Sequence, residues 1–337
     1  MEIDKQYNDV ILEDLVEEDR TFGSSVASTR IPLADDWTVW LRSTEKQYNG
    51  WGDTYSCVTF AAIKSISAIM NYKIAYNLIN TIDLDWLIDN EYVVYNKFDA
   101  SESFTAIMSG TVQHQGNSGH RVNDSIRNDG LIPQSMRPFN DNTTQEDFYA
   151  ECTDEQIDMG LEFVKRFNVE YEVVYANDLN EREEALQYSP LGVFIATSCP
   201  WKAHIQQACW NTTNHAVVHY GDNELLADTY YRIQEDGTYL LYRRVVEDFK
   251  YYYISYAYFI NSKNNEMIST IKISDSIEDK RVQGIYMVFP TTNTLREIAG
   301  TMDSYNAMLE DGIISSYTEV YALPEGYEVK ERITLCK

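Results

Sequence analysis

Long apolar runs are missing from this chain of 337 residues: no stretch approaches the roughly 20 apolar residues that a membrane span requires. Met1-Glu2-Ile3-Asp4 also lacks the basic then apolar profile of a secretory signal, so the expectation is a soluble protein with no visible export signal. Cysteine is scarce, with five residues at 57, 152, 199, 209 and 336. An odd, sparse set of this kind suits a reduced compartment better than a disulfide framework, and the lack of any CxxC argues against a zinc site of that type. Asn142-Thr143-Thr144 and Asn211-Thr212-Thr213 fit the glycosylation pattern, but without a secretion signal they read as polar loops. Basic side chains are also in short supply, 27 against 53 acidic ones, for a net charge of -26. The resulting field repels phosphate backbones and anionic lipid, so neither nucleic acid nor a membrane is an expected partner. The plain reading of the surplus is a well-solvated surface.

An apolar fraction of 44% and an aromatic fraction of 13%, with 26 tyrosines, place the chain among globular proteins. Its length predicts one large domain and something smaller. Residues 1–44 are acidic and irregular and read as an arm, with a turn at Phe22-Gly23-Ser24-Ser25 and with Trp37 and Trp40 as anchors for docking. From Cys57 to about Tyr72 there is no Gly or Pro, and Val58, Ala61, Ala62, Ser65, Ile66 and Ile69 recur at helical spacing, which predicts a buried helix beginning at Cys57. Residues 84–95 and 99–108 are further helical candidates, 109–118 reads as loop, and 121–128 as a short helix stopped by Gly130. After an acidic stretch at 146–158 the texture turns strand-like, at 169–175, 192–197, 216–220, 225–230, 239–246 and 251–259. A smaller unit begins near 263, with strands expected at 267–273, 284–288 and 319–323 and a helix at 304–309. The expected class is α+β, in three parts: 1–44, 45–262 and 263–337.

A thiol is a useful nucleophile near neutral pH only as thiolate, and either a helix N-terminus or a nearby histidine lowers its pKa. The run GDTYSCVTF leads from a loop into the apolar helix, placing Cys57 where unpaired backbone N–H groups favour negative charge. The plain alternative is a small buried apolar residue. Of the five histidines, His215 stands at the start of an apolar strand, where its ring can face a cleft; His219 lies further inside and reads as structural. His114, His120 and His204 sit in polar surroundings and read as exposed. A base needs an orienting partner, and Asp228 closes the apolar run of the next strand. Taken in isolation, an aspartate there reads more readily as a strand-end turn residue.

YSCVTFA and NHAVVHYG resemble the nucleophile and histidine motifs of papain-like cysteine peptidases. GNSG at 116–119 and DGLIPQSMRPF at 129–139 are similar to that family's cleft loop and to a glycine, aliphatic and proline segment that follows it. The resemblance covers about 215 of the 337 residues, and FGSS, the Trp37 segment and EKQ at 45–47 look like peptidase-like proteins of tailed bacteriophages. It implies a two-subdomain fold, helical half then β half, with Cys57 as nucleophile, His215 as base and Asp228 in place of the usual asparagine. It also implies Gln47 as an oxyanion donor, although Gln47 lies ten residues before Cys57, so an insertion around Asn49-Gly50-Trp51-Gly52 must bring it back. Thr54 and Val58 replace the family's usual cysteine and tryptophan, and NSWG is missing. The activity so implied is hydrolysis of peptide or isopeptide bonds without metal or cofactor. Its substrate would be a protein or peptide, a virion protein or peptidoglycan, and its location the bacterial cytoplasm during infection and the virion. The rival readings are a catalytically idle papain fold serving as a virion structural or binding protein, and a peptidoglycan peptidase or amidase. The C-terminal unit, lacking a catalytic cluster, reads as a docking module.

Overall fold

The structure, a computed structural model, describes residues 10–15, 19–23, 33–34, 36–41, 46–199, 201–202, 205–209, 212–221, 225–233, 239–246, 249–263, 282–289, 294–299 and 321–324. The chain divides into two compact units, Met1–Ala75 with Ile82–Lys263, and Tyr76–Thr81 with Asn264–Lys337. Helices and strands are mixed, with the helices of the first unit concentrated ahead of its main sheet.

A short hairpin, β1 (Tyr48–Asn49) and β2 (Gly52–Asp53), leads into the long helix α1 (Cys57–Ala75). Every side chain of α1 from Cys57 to Asn71 is buried, so this stretch of the helix has no solvent-facing side. There follow α2 (Thr81–Asp89), the hairpin β3 (Val93–Val94) and β4 (Lys97–Phe98), α3 (Glu102–Met108) and α4 (Gly119–Asp129), which ends at Gly130 with φ 77°. The acidic stretch at 146–158 forms two helices, α5 (Gln145–Tyr149) and α6 (Asp154–Arg166). Each begins with a capping box, Thr144 with Asp147 and Thr153 with Gln156, and its first-turn acids sit where the helix dipole favours negative charge.

The second half of the unit supplies β5 (Phe167–Tyr175), α7 (Leu179–Leu186), β6 (Leu191–Ile195), β7 (Trp201–Lys202), β8 (Ile205–Gln206), β9 (His215–Gly221), β10 (Leu225–Ile233), β11 (Tyr239–Val245) and β12 (Ile254–Ser262). These strands form one sheet in the order β5-β12-β6-β9-β10-β11-β8-β7, antiparallel except between β11 and β8. β6 and β9 lie inside it with every residue buried, and α1 packs across β6, β9, β10 and β12. That crossing brings the start of α1 to the start of β9. In the other unit β13 (Val282–Phe289) pairs antiparallel with β14 (Thr294–Ala299) and β15 (Tyr321–Pro324).

Trp37 and Trp40 both pack within the first unit. Trp37 is wholly buried and donates its indole N–H to the Leu186 carbonyl at 2.7 Å, while Trp40 packs edge-on to Tyr72. Phe22 N–H donates to the Val173 carbonyl on the edge strand β5. Several expectations change. Cys199 and Cys209 form a disulfide, with Cα atoms 5.5 Å apart, because the turn through β7 and β8 folds the loop back on itself. His120 is buried, not exposed: its ring lies between the carboxylates of Glu13 at 3.0 Å and Asp19 at 2.7 Å. Asp228 does not close its strand, which runs on to Ile233. The expected strand at 267–273, the helix at 304–309, Ser24, Ser25 and His204 lie outside the described residues.

Candidate active site

Cys57 is the first residue of α1, at the end of the helix whose opening N–H groups have no intrahelical partner. Its sulfur accepts the backbone N–H of Ala216 at 3.4 Å, which ties the thiol to β9 one residue beyond His215. His215 opens β9, opposite Ile195 of β6. Its Nε2 meets Asp228 Oδ1 at 2.7 Å. An ionised aspartate only accepts, so Nε2 carries the proton in this contact and any further proton the ring gains or gives up is carried on Nδ1.

Asp228 lies where β10 leaves regular register. Ala227 pairs with Tyr242 of β11, but the next partners are Arg232 and Leu240, so the stretch between carries extra residues. In it Asp228 and Thr229, neighbours that a regular strand would point to opposite faces, bond His215 and Gln47 respectively.

The β1–β2 hairpin, turning through Asn49-Gly50-Trp51-Gly52, folds Gln47 back onto the segment that precedes Cys57. The Gln47 carbonyl accepts the N–H and the hydroxyl of Thr54, three residues before Cys57, at 3.2 and 2.9 Å. Its side-chain oxygen accepts the Thr229 hydroxyl at 2.6 Å, and its side-chain nitrogen donates to Asp53 at 3.1 Å. Cys57, His215, Asp228 and Gln47, picked from distant parts of the sequence, thus sit in one connected set. Cys57, His215 and Gln47 have 0% exposure and Asp228 1%, so the four side chains are closed off from solvent in this structure.

The turn before Cys57 carries a further feature. Tyr55 and His114 have φ of 54° and 64°, left-handed values that cost energy for side chains of this size, and the two are joined by a 3.0 Å hydrogen bond. Beside them a cavity of about 530 Å³ is lined by Ile107, Val112, Gln113, Glu146 and Tyr149 among others, and Tyr149 donates its hydroxyl to the Thr54 carbonyl at 2.9 Å. Asn117 of GNSG serves its own loop, donating to Ser109 and Thr111. His219 is buried with its pKa pushed down to about 3, by burial first and by the Arg182 charge second, so it stays neutral. Among the described residues, no group of three or more His, Cys, Asp or Glu side chains is placed to hold a metal ion, and no helix is long and apolar enough to cross a membrane.

Asp53, Thr229 and Tyr55 were not singled out from sequence. Thr229 adjoins Asp228 and Asp53 directly follows the Asn49-Gly50-Trp51-Gly52 turn, but neither position identifies its partner.

No protein-family model matches the chain, and no curated protein matches it in sequence. Solved structures similar to it include a cysteine protease of Xylella fastidiosa, xylellain, at 11% identity and TM-score 0.47, covering 75% of this chain and 97% of that one. Digestive procathepsin L2 proteinase of Tenebrio molitor is 14% identical with TM-score 0.46, covering 74% and 77%. The bromelain protease of Ananas comosus is 17% identical with TM-score 0.41, covering 67% and 98%. These neighbours are papain-like cysteine proteases. At such scores the likeness carries no functional argument, and a function for this chain has to rest on the geometry of its site.

Proposed function

We propose that residues 45–262 form a papain-like cysteine endopeptidase, with Cys57 as nucleophile, His215 as base and acid, Asp228 as its orienter and Gln47 as an oxyanion donor. The observation that carries this reading is the run of contacts from the Cys57 sulfur to the Ala216 N–H, beside His215, whose Nε2 is taken by Asp228 at 2.7 Å. Cys57 thiolate adds to the carbonyl carbon of a peptide or isopeptide bond, and the electron pair moves to oxygen. The oxyanion accepts from the Cys57 N–H and the Gln47 amide. Collapse breaks the C–N bond as His215 passes its Nδ1 proton to the leaving amine, and His215 then takes a proton from the water that cleaves the thioester. Asp228 stays ionised and favours the imidazolium, and hence the thiolate.

Virion proteins or peptidoglycan as substrates, and a place in an infected bacterium or a virion, rest on the sequence resemblance to phage proteins. Residues 1–44 are taken as an arm of this enzyme and 263–337 as an accessory docking module. A papain-shaped binding protein without activity is the second reading, favoured by the complete burial of Cys57, His215 and Gln47. Treatment with an iodoacetamide or epoxide probe separates the two. Selective modification of Cys57, with cleavage of casein or of cell-wall fragments that is lost in Cys57→Ala, supports the enzyme. Undiminished cleavage by Cys57→Ala overturns the nucleophile assignment, and the absence of labelling favours the binding protein.

A further inference from the structure

The Gln47 carboxamide is gripped at both ends, and the chemistry of the grips fixes which end is which. A carboxylate has no proton to donate, so the amide nitrogen must face Asp53, at 3.1 Å, and the amide oxygen must face Thr229, whose hydroxyl donates at 2.6 Å. A flipped amide would oppose two acceptors at Asp53 and forfeit that bond, while the Thr229 hydroxyl would have to turn from donor to acceptor, so it is Asp53 that fixes the orientation. Asp53 is itself held, since the same Oδ1 accepts the Tyr55 N–H at 2.9 Å and Asp53 pairs with Tyr48 across the hairpin. Thr229 is fixed by the irregular stretch of β10 that also carries Asp228. One short segment of β10 therefore orients both the imidazole and the carboxamide.

The siting of Asp53 needs a reason. A carboxylate only 8% exposed and next to a nitrogen meant to serve a developing anion would oppose that anion by charge. It is tolerable where its role is to aim the amide, because the amide then stands between the two negative groups with an N–H for each. We propose that Asp53 and Thr229 are positioning residues that hold the Gln47 carboxamide in the one orientation that presents its second N–H to the oxyanion. This rests on the peptidase reading of the site. Removing either grip lets the amide turn about its last torsion, which weakens binding of the transition state and leaves ground-state binding alone.

The test is a set of steady-state kinetics on the full chain with a peptide substrate, the melting temperature of each variant being recorded. Removing an oxyanion donor outright typically costs about 10²–10³ in kcat, so losing one of its two orienting bonds is expected to cost about tenfold. Asp53→Ala and Thr229→Val should each lose that much kcat, with KM within about twofold of the parent. Asp53→Asn, which keeps an acceptor oxygen, and Thr229→Ser, which keeps the hydroxyl, should stay within about threefold. In a Gln47→Ala background neither Asp53→Ala nor Thr229→Val should lower kcat further, because the group they act through is gone. Losses that persist undiminished in that background, or a Thr229→Ser as impaired as Thr229→Val, overturn the inference. If Asp53→Ala fails to fold, the Thr229 variants and Asp53→Asn decide it alone. A parent without Cys57-dependent turnover overturns the peptidase reading and this inference with it; an active parent with additive losses overturns this inference only.

Discussion

Two histidines on β9 share a strand and deep burial, yet their surroundings prepare them for opposite chemistry. His215 has a carboxylate at 2.7 Å and a thiol bonded to the next residue. His219 instead stacks on Tyr251 at 6.1 Å, and Arg182, whose guanidinium lies 5.0 Å over that same ring, adds a like charge. Burial, with a like charge nearby, penalises the charged imidazole and leaves an inert ring, as at His219. Burial with a fixed carboxylate permits the imidazolium that a Cys–His pair requires.

The sharpest way to break this comparison is to remove each ring in turn. His215→Ala should cost about 10³-fold or more in kcat while the protein stays folded, as loss of a base in a concerted unit does. His219→Asn should leave turnover within about threefold, since it touches none of the reacting groups. Equal losses in steady-state assays would mean that the two rings do not differ in kind. Next comes the anion itself. Asp228→Ala should cost about a hundredfold and Asp228→Asn only about tenfold, because the carboxamide oxygen still accepts from Nε2 and only the charge is lost. Matching losses in the two variants would make charge, not orientation, the whole of its contribution. A smaller effect concerns the loop that ends at His215. Replacing Cys199 and Cys209 by Ser releases a crosslink with a sequence separation of 10. Chain entropy for such a loop predicts a loss of just under about 3 kcal/mol in urea unfolding. A reducing agent should reproduce that loss in the parent and leave the double variant unmoved.

Much of this arrangement was legible because it was written locally. The helix from Cys57 followed from an unbroken apolar period, and the start of β9 at His215 from a strand-like run, so two members of the site could be named with their supporting elements. The turn of the β1–β2 hairpin was legible as a run of turn-forming residues. What stayed hidden depends on contacts between distant residues or on local geometry that composition does not encode. Thr229 meets Gln47 across 182 residues, and His120 meets Glu13 and Asp19 across 107 and 101, so a polar neighbourhood in sequence gave the wrong burial. α5 and α6 were obscured by acidic composition, although their caps, Thr144 and Thr153, stand at the expected offsets. The Cys199–Cys209 disulfide contradicts a reading drawn from cysteine scarcity, which speaks of compartment and says nothing about two sulfurs brought together by a tight turn.

The smallest predicted effect isolates the His219 end. Its folded pKa of about 3 lies below the ordinary value of 6.5, so between those two values the unfolded chain binds a proton that the folded chain refuses. Stability therefore rises with pH through that window and is lost as pH falls from 6.5 toward 3. At pH 5 this one ring should account for about 2 kcal/mol of the loss relative to pH 7. Urea unfolding of the parent and of His219→Asn at both pH values measures it as a difference, so that any fixed packing defect of the variant cancels. The parent should lose about 2 kcal/mol more than the variant between the two pH values. Equal losses would place a charge-bearing environment around His219 and remove the contrast with His215, because the ring could then be protonated inside the fold without cost.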